Sequence, residues 1–472
     1  MRSRKAVVSA TGSTSPAPIA RPRSLALLLT HSCIAPSAHR HRYLATVATS
    51  QRMDNPKPTP ILRPMTHDSD IAIVGGGLSG PLLAIALAQA GQKVTVIDAL
   101  SQKVRKNAAF DGRSYAVALT SQRLLDAVGL WDDLAPHSQP ILEIKVSDGR
   151  AGQGPSPFFM HFDHAEIEEG PMGHMVQDRH LRRTLLEAMA NTPGVTHLAG
   201  ETVTAQAPAP GGVSVTLASG THLRAAVLVG ADGRGSGTAT RAGIKRTGWG
   251  YEQTALVCAI SHEKPHNGIA HQFFMPPGPL AILPLPGNQS SIVWSEAAAT
   301  AAAFDALPDE AYLTMLRPRF GDFLGEIELA GARFTYPLSL SLANHLVADR
   351  MALIGDAAHG VHPIAGQGLN AGMRDIAALA EVIIDATRRG EDIGSAPVLA
   401  RYEQWRRFDN TALALATDSF NKLFSNDNTL VRSMRDLGMG VVNALPGLRR
   451  SFIREAAGLT GDLPRLMSGK LL

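Results

Sequence analysis

The sequence predicts an α/β (α+β) protein in which a Rossmann-like nucleotide-binding domain is interrupted by a mostly antiparallel sheet and followed by a helical region. Three patterns predict this class. A strand, glycine loop, helix and second strand fill residues 70–98, strand-like pieces broken by proline and glycine fill 244–345, and helical periodicity begins at 396. The expected segments are a disordered leader or targeting extension at 1–66, the two parts of the nucleotide-binding domain at 67–243 and 346–395, the inserted sheet at 244–345, and the helical region at 396–472.

The composition predicts a large globular protein and excludes several classes of function. Of the 472 residues 44% are hydrophobic, which is enough to bury the cores of two or three domains. The net charge is +4, but the basic excess is concentrated ahead of Met53, where eight basic residues meet no acid, so the remainder is close to neutral. With 5% aromatic residues and no basic face, nucleic-acid binding is not expected. The two cysteines, Cys33 and Cys258, cannot form a zinc cluster or a disulfide framework, and we expect no metal site.

The leader at 1–66 is rich in Ser, Ala, Pro and Arg and poor in acids. Its apolar run, Leu25 to Leu29, is far shorter than the ~20 residues needed to span a bilayer. One interpretation is a mitochondrial transit peptide. The other interpretation, which we favour, is a leader without a role. Met65 lies just ahead of the first predicted strand, where translation of the folded part would naturally start.

Residues 70–98 carry a dinucleotide-binding pattern, in which GGGLSG follows a strand and opens a helix. Gly75 allows the tight turn, Gly77 lets the backbone approach a pyrophosphate, and Gly80 lets the helix pack closely on the strand. Asp98 ends the second strand, where an acid accepts hydrogen bonds from ribose hydroxyls; this argues against NADP but does not separate NAD from FAD. The cofactor-binding candidates of this loop are Gly75, Gly77, Leu78, Ser79 and Gly80.

Three further residues are cofactor candidates, each with a structural alternative. Arg113 could contact the phosphates or the ribityl chain, or be a surface arginine. Arg179 begins a predicted amphipathic helix over 177–189 and could reach the cofactor or pair with an acid. Asp232 follows an apolar strand in AVLVGADG, which would put it at the carboxyl edge of a parallel sheet, where ligands bind; the alternative is an ordinary turn.

The stretch 350–375, RMALIGDAAHGVHPIAGQGLNAGMRD, predicts a strand, a glycine-rich loop and a helix start that hold a flavin ring. A helix beginning near Gly368 offers free N–H groups and a partial positive charge, which would stabilise the negative charge of a reduced flavin. Asp356 can accept hydrogen bonds from a ribityl chain, while Gln367 and Asn370 can bond the polar edge of the ring. The candidates here are Gly355, Asp356, Pro363, Gly366, Gln367, Gly368, Leu369 and Asn370.

These motifs together resemble those of the FAD-dependent aromatic hydroxylases of the p-hydroxybenzoate hydroxylase fold. The resemblance rests on GGGLSG with Asp98, DGR at 111–113, ADG at 231–233, and GDAAH through GQGLNAGMRD. Within that family the chain is most similar to the ubiquinone-biosynthesis hydroxylases of the UbiH/UbiF type, through GPLAILPLP, SSIVWS, YEQWRRFDN and NKLFSND. It departs from the family before Arg179, where Gln and Asp replace the more usual Glu and Asn.

The resemblance implies a monooxygenase with FAD as cofactor and NAD(P)H as a transient reductant. In that family O2 adds at the flavin C4a, and the hydroperoxide attacks an electron-rich phenol, here a polyprenylated phenol of ubiquinone biosynthesis. A catalytic base is not identified, because His359 and His362 could equally be structural histidines of the loop. The alternatives are a hydroxylase of a soluble aromatic and a flavin-dependent isoprenoid reductase.

Apolar residues line the predicted sheet and the helical region. We expect the sheet to wall a substrate pocket, with candidates Phe273, Phe274, Leu280, Ile282, Leu283 and Trp294. The helical region carries more apolar residues than one small core requires, and we hypothesise that it docks on a membrane or a ubiquinone-biosynthesis complex, with Arg449, Arg450 and Arg454 meeting lipid phosphates. The alternatives are internal packing or a homodimer contact. The expected location is cytoplasmic and peripheral to the inner membrane, or the mitochondrial matrix side if the leader is a transit peptide.

Overall fold

A computed structural model describes residues 67–472 except 108, 110–111, 153, 363–365 and 425–437. Strands β1 to β20 cover Ser69–Val74, Val94–Asp98, Ser114–Ala118, Ser138–Ile141, Glu143–Arg150, Gly154–Asp163, Gly173–Gln177, Val195–Ala199, Val203–Ala209, Gly212–Leu217, His222–Gly230, Arg246–His262, Ile269–Met275, Gly278–Leu285, Gln289–Ala297, Ile327–Leu329, Phe334–Ala343, Val347–Ala348, Met351–Leu353 and His359–Gly360. Helices α1 to α11 cover Ser79–Gln89, Gln102–Arg105, Leu119–Ala127, Trp131–Leu134, Asp178–Asn191, Gly237–Arg241, Ala298–Asp305, Asp309–Phe320, Gln367–Arg388, Ala396–Phe424 and Pro446–Ala456, and a further helical segment spans 438–444.

The nucleotide-binding sheet has the order β18-β19-β11-β1-β2-β8, with β9 and β10 attached to β11. Strand β1 pairs in parallel with both β2 and β11, and β11 pairs in parallel with β19. These strands read as continuous apolar runs because helices cover both faces of a parallel sheet. The carboxyl ends of β1, β11 and β19 therefore meet at one edge, and this brings together Gly75, Ala231 and Gly355, which follow them.

The second sheet has the order β20-β17-β12-β15-β14-β13-β5-β6 and is antiparallel except where β13 pairs with β5. It takes in more of the chain than the predicted segment 244–345. Strands β5 and β6 come from the segment 67–243, and β20 comes from the loop after β19. Local periodicity did not indicate this, because the pairing of β5 with β13 joins strands more than a hundred residues apart in the chain.

A small sheet of order β3-β7-β4 lies beside the start of α9. Helix α3 ends at Ala127, and Gly129 follows it with a φ of 73°, as is typical of a helix C-terminus. The long helix α10 packs against α9 and α11 packs against β6. Among the helices of the described residues, none combines the length and apolarity needed to cross a membrane.

Candidate active site

The glycine loop after β1 is shaped by close backbone contacts. A Cβ on Gly80 would lie 1.9 Å from the carbonyl oxygen of Gly75, and a Cβ on Gly75 would lie 2.3 Å from the carbonyl oxygen of Ala231. Gly75 also has a φ of 119°, which side-chain-bearing residues rarely adopt. A Cβ on Gly77, by contrast, would meet nothing within 4 Å. Gly75 and Gly80 are thus needed by the fold itself, whereas Gly77 faces open space in which a ligand can approach the backbone.

The carboxylate of Asp98 is buried at the end of β2 and is held by Arg105. The guanidinium donates from Nε to Oδ2 at 2.8 Å and from Nη2 to Oδ1 at 2.9 Å. Burial alone would raise the pKa of Asp98, but the hydrogen bond from Arg105 lowers it below its usual range. A Cβ on Gly76 would lie 2.2 Å from Oδ2 of Asp98. Gly76 is therefore a residue of the site that sequence reasoning missed, because the GxGxxG motif leaves the position between Gly75 and Gly77 unspecified.

The loop between β19 and α9 brings the second group of candidates to the same edge. Gly355 has a φ of 58°, and a Cβ there would lie 2.9 Å from Oγ of Ser79 in the first loop. Asp356 is half-exposed, and its Oδ2 accepts from Nε of Arg234 at 3.3 Å. Gly366 adopts a φ of 64° immediately before α9, whose first residue is Gln367. The N-terminus of α9 thus lies next to the dinucleotide loop.

A cavity of about 1780 Å³ connects these loops to the face of the second sheet. Single small-molecule pockets are usually about 300–1,000 Å³, so this cavity has room for a cofactor and a second ligand. The predicted site residues that line it are Gly77, Leu78, Ser79, Arg113, Asp356, Gly366, Gln367, Gly368, Leu369 and Asn370. Those that do not line it are Gly75, Gly80, Asp98, Arg179, Asp232 and Gly355. Pro363 lies outside the described residues.

Asn370 lines the cavity, and its side-chain amide forms three hydrogen bonds to backbone groups of the protein. Oδ1 accepts from the backbone N–H of Ala118 at 2.9 Å, and Nδ2 donates to the carbonyls of Ala116 at 2.9 Å and Gly366 at 3.2 Å. Both amide hydrogens are therefore used. The side chain thus joins β3 to the start of α9, and its contact with a flavin edge stays a prediction.

Asp232 and Arg179, two more predicted cofactor contacts, bond to neighbouring residues and do not line the cavity. Oδ2 of Asp232 accepts from both the backbone N–H and the hydroxyl of Thr238 at 2.9 Å, so the carboxylate organises the start of α6. Arg179 donates from Nε to Oε1 of Gln177 at 2.9 Å and lies outside the cavity lining. Arg113 does line the cavity, and its Nη2 lies 3.2 Å from Oδ2 of Asp178.

Beneath the flavin-loop candidates lies a buried charge network centred on Asp375, which is 0% exposed. Oδ2 accepts from the N–H of Gly355 at 3.0 Å and contacts Nε2 of His359 at 2.6 Å, while Oδ1 accepts from Nε of Arg406 at 2.8 Å and Nδ2 of Asn410 at 3.4 Å. Burial would raise the pKa of Asp375, but the charges of His359 and Arg406 lower it to about 2. The network ties the loop after β19 to α9 and α10.

The two loop histidines are buried in this arrangement. His359 is held by Asp375, and His362 is fully buried, which lowers its pKa to about 4 and keeps it neutral. Neither lines the cavity. Sequence reasoning missed Asp375 and Arg406; the available signal was an acid in the apolar run of a helix, beside the buried Met373 and Ile376.

The remaining walls of the cavity are apolar and come from the second sheet and from α10. Phe274 and Leu283 line it as predicted, and the ring of Phe424 on α10 stacks on Phe274 with centroids 4.0 Å apart. The other predicted wall residues point to the opposite face of the sheet, where they pack against α7 and α8; these are Phe273, Leu280, Ile282 and Trp294. Alternation along a strand explains the division, because neighbouring side chains point to opposite faces.

A dinucleotide loop, a helix start and an apolar chamber in one cavity define the class of FAD-dependent monooxygenases. The FAD binding domain family matches residues 68–414, and the pyridine nucleotide-disulphide oxidoreductase family matches residues 3–114. The chain belongs to the ubiquinone hydroxylases within the FAD-dependent aromatic hydroxylases of the p-hydroxybenzoate hydroxylase type.

Similar proteins support this assignment. The chain is 47% identical over 420 residues to ubiquinone hydroxylase UbiL of Rhodospirillum rubrum, covering 88% of this chain and 96% of that protein. It is 33% identical to 3-demethoxyubiquinol 3-hydroxylase of Escherichia coli, covering 83% of this chain and 99% of that one. Among solved structures, p-nitrophenol 4-monooxygenase of Pseudomonas putida shares the fold with a TM-score of 0.70 at 20% identity, covering 83% of this chain and 98% of that one.

Proposed function

We propose that this protein hydroxylates the ring of a polyprenylated phenol in ubiquinone biosynthesis, using FAD, O2 and NAD(P)H. The observation that carries the proposal is the continuity of the cavity, which joins a dinucleotide loop and the start of α9 to an apolar chamber. The relatives named above are called ubiquinone hydroxylase and 3-demethoxyubiquinol 3-hydroxylase, and a demethoxyubiquinol is a phenol of the proposed substrate class.

The residues at the sheet edge fit FAD. We assign the pyrophosphate to the open backbone at Gly77 and Ser79, where α1 begins, and the adenosine ribose to Asp98. The ring's pyrimidine edge is assigned to the backbone N–H groups from Gln367 to Leu369, at the start of the 22-residue helix α9. When bound and reduced by NAD(P)H, FAD activates O2 so that one oxygen atom enters the phenol ring.

The protein contributes position, polarity and the exclusion of water. The positive end of α9 stabilises negative charge at the pyrimidine edge, and the Asp375 network holds Gly355 and α9 in place. Phe274, Phe424 and the other apolar side chains of the chamber exclude water from the phenol ring.

A preference for a phenol that carries a polyprenyl chain distinguishes the proposed enzyme from a hydroxylase of soluble aromatics. The holoenzyme should be given a phenol with a polyprenyl chain and the same phenol without it, and hydroxylated product should be measured against NAD(P)H consumed. We expect a much higher kcat/KM for the prenylated phenol, because its chain buries apolar area in the chamber. Equal kcat/KM values for the two phenols would contradict the proposed substrate.

We further propose that the protein contacts the membrane in which such a substrate dissolves. Exposed apolar side chains lie along the chain from α10 to α11; they are Phe408, Leu415, Leu423, Val441, Leu445 and Leu448, here called the C-terminal apolar surface. Two of them, Phe408 and Leu423, also line the cavity. Of the arginines expected to meet lipid phosphates, Arg449 pairs with Glu166 at 2.7 Å and Arg454 with Glu169 at 2.8 Å. The contact is therefore proposed to be mainly hydrophobic.

A vesicle experiment tests this contact. Phe408 and Leu415 are 78% and 59% exposed, so the variant F408D/L415D should fold and lose co-sedimentation with anionic phospholipid vesicles. The matched control is V104D/L471D, which places the same two charges at apolar residues that are 53% and 70% exposed and lie outside this surface. Unchanged sedimentation of the double variant would contradict the membrane contact, and a loss of dimers or of binding to a ubiquinone-biosynthesis complex instead would assign the surface to a protein partner. The proposed location is the cytoplasmic face of the inner membrane, or the matrix side if 1–66 targets the protein to mitochondria.

A further inference from the structure

The face of the second sheet that lines the cavity carries a polar side chain in an apolar row. Cross-strand pairing aligns six residues in one row across the strands β12, β15, β14, β13, β5 and β6. In that order they are Val257, Val293, Ala281, Gln272, Val146 and Met160. All six line the cavity. Five are apolar, so Gln272 interrupts a surface that is otherwise suited only to hydrocarbon.

The direction of the Gln272 side chain follows from its strand. Ala270 and Phe274, two residues away on either side in β13, are buried in the hydrophobic cluster beside the cavity. Phe273 and Met275 belong to the cluster on the opposite face. Because side chains alternate along a strand, Gln272 points to the cavity with Ala270 and Phe274.

The amide of Gln272 has no internal role. In the part of the chain that the structure describes, no hydrogen bond joins this side chain to another residue, although its backbone pairs normally with β5 and β14. The amide is half-buried and faces the cavity, so its partner must come from a molecule in the cavity. A leucine would fill the same wall without needing a partner, so the amide indicates a ligand that supplies one.

We infer that the side-chain amide of Gln272 anchors an uncharged oxygen substituent on the aromatic ring of the substrate. An amide donates and accepts at once, which matches a neutral hydroxyl or methoxy oxygen. This inference rests on the proposed function, because it places a phenolic ring in the apolar chamber. Gln272 is thus a specificity residue, which selects the oxygenated ring and sets its orientation between the sheet and α10.

The test measures binding of two ligands to the FAD-loaded enzyme by the change each causes in the flavin absorption spectrum. One is a prenylated phenol, and the other is the same prenylated ring without the oxygen substituent. Gln272→Leu should raise the Kd for the phenol about tenfold, since a substrate oxygen loses its partner, and leave the Kd for the deoxygenated ring unchanged. Gln272→Glu, which keeps an acceptor but loses both amide donors, should weaken binding of a methoxy-substituted ring more than binding of the phenol. Met160→Leu is the control in the same row; it exchanges one apolar side chain for another, so any change in Kd should be the same for both ligands.

Stability and cofactor content separate this role from others. Gln272→Leu should retain full FAD content and unfold at the same or a higher temperature than the wild type, because an unpartnered amide has been removed. Equal increases in both Kd values would overturn the inference in favour of a shape effect, and an altered flavin spectrum without ligand would overturn it in favour of a cofactor contact. If the wild type binds no prenylated phenol, the proposed function fails, and the inference fails with it.

Discussion

Removal of the Asp375 carboxylate is the perturbation from which we expect the largest effect on the fold around the site. Asp375→Ala deletes the acceptor for the Gly355 N–H, His359, Arg406 and Asn410, all at a position with 0% exposure. It leaves the buried Arg406, which is 1% exposed, without its main counter-charge. Breaking a buried pair in this way costs about 3–5 kcal/mol.

This cost can be converted into a melting temperature. With about 2.1 cal/mol/K of unfolding entropy per residue over a body of about 400 residues, a loss of 3–5 kcal/mol lowers Tm by about 4–6 °C if unfolding is cooperative. Calorimetry of the holoenzyme measures the shift, and flavin fluorescence reports FAD release. The matched control is Asp385→Ala on the same helix, where the carboxylate is 36% exposed and pairs with Arg465, so the loss should stay below about 1 kcal/mol. Equal shifts for the two variants would refute the buried-network argument.

The pH dependence follows from the lowered pKa of Asp375. Its folded-state pKa of about 2 lies below the ordinary value of 3.8, so its contribution to stability is fully present above about pH 4 and is lost as the pH falls towards 2. The Tm difference between wild type and Asp375→Ala should therefore be constant from pH 7 to about 4 and shrink below that. A difference that shrinks between pH 7 and 5 would mean that another group titrates in the network.

Four further substitutions test the glycine loop, the side-chain bonds of Asn370 and the burial of Cys258. Gly77→Ala should leave the Tm of the apoprotein unchanged and weaken FAD binding, whereas Gly80→Ala should lower both, because only the second Cβ meets backbone, at 1.9 Å; titration with FAD and apoprotein melting distinguish them. Asn370→Ala should cost about 1–3 kcal/mol, since it leaves buried backbone groups unpaired, and a Tm unchanged from wild type would contradict its role as a tie. Burial raises the pKa of the Cys258 thiol to about 12, so a Cys33→Ser variant should react with iodoacetamide only after unfolding, and labelling of the native protein, followed by mass spectrometry, would contradict this.

Local sequence patterns predicted the elements of the site better than the contacts among its side chains. The glycine loop, the start of α9 and the strands of the second sheet depend on residues a few positions apart, so periodicity and turn chemistry indicate them directly. The pairing of Asp375 with Arg406 joins residues 31 positions apart, and Asn370 bonds Ala118 across 252 positions. Such contacts depend on how the sheets and helices pack.

The contacts that sequence reasoning did not predict have the same physical origin. An acid after a strand, as at Asp232, has the chemistry to serve a ligand or the next helix start, and its bonds to Thr238 appear only once α6 is placed beside it. Likewise, the membership of β5 and β6 in the second sheet depends on long-range register, which no local pattern carries. Gln272 was overlooked because one amide in a strand is informative only after its apolar neighbours across the sheet are known.

Isotope transfer from dioxygen tests the central claim most directly. The holoenzyme should be incubated with NAD(P)H, a polyprenylated phenol and 18O-labelled dioxygen, and the product should be analysed by mass spectrometry. A monooxygenase places one labelled atom in the new ring hydroxyl and reduces the other to water. An unlabelled product, or NAD(P)H oxidation that yields only hydrogen peroxide whether or not the phenol is present, would contradict the assignment.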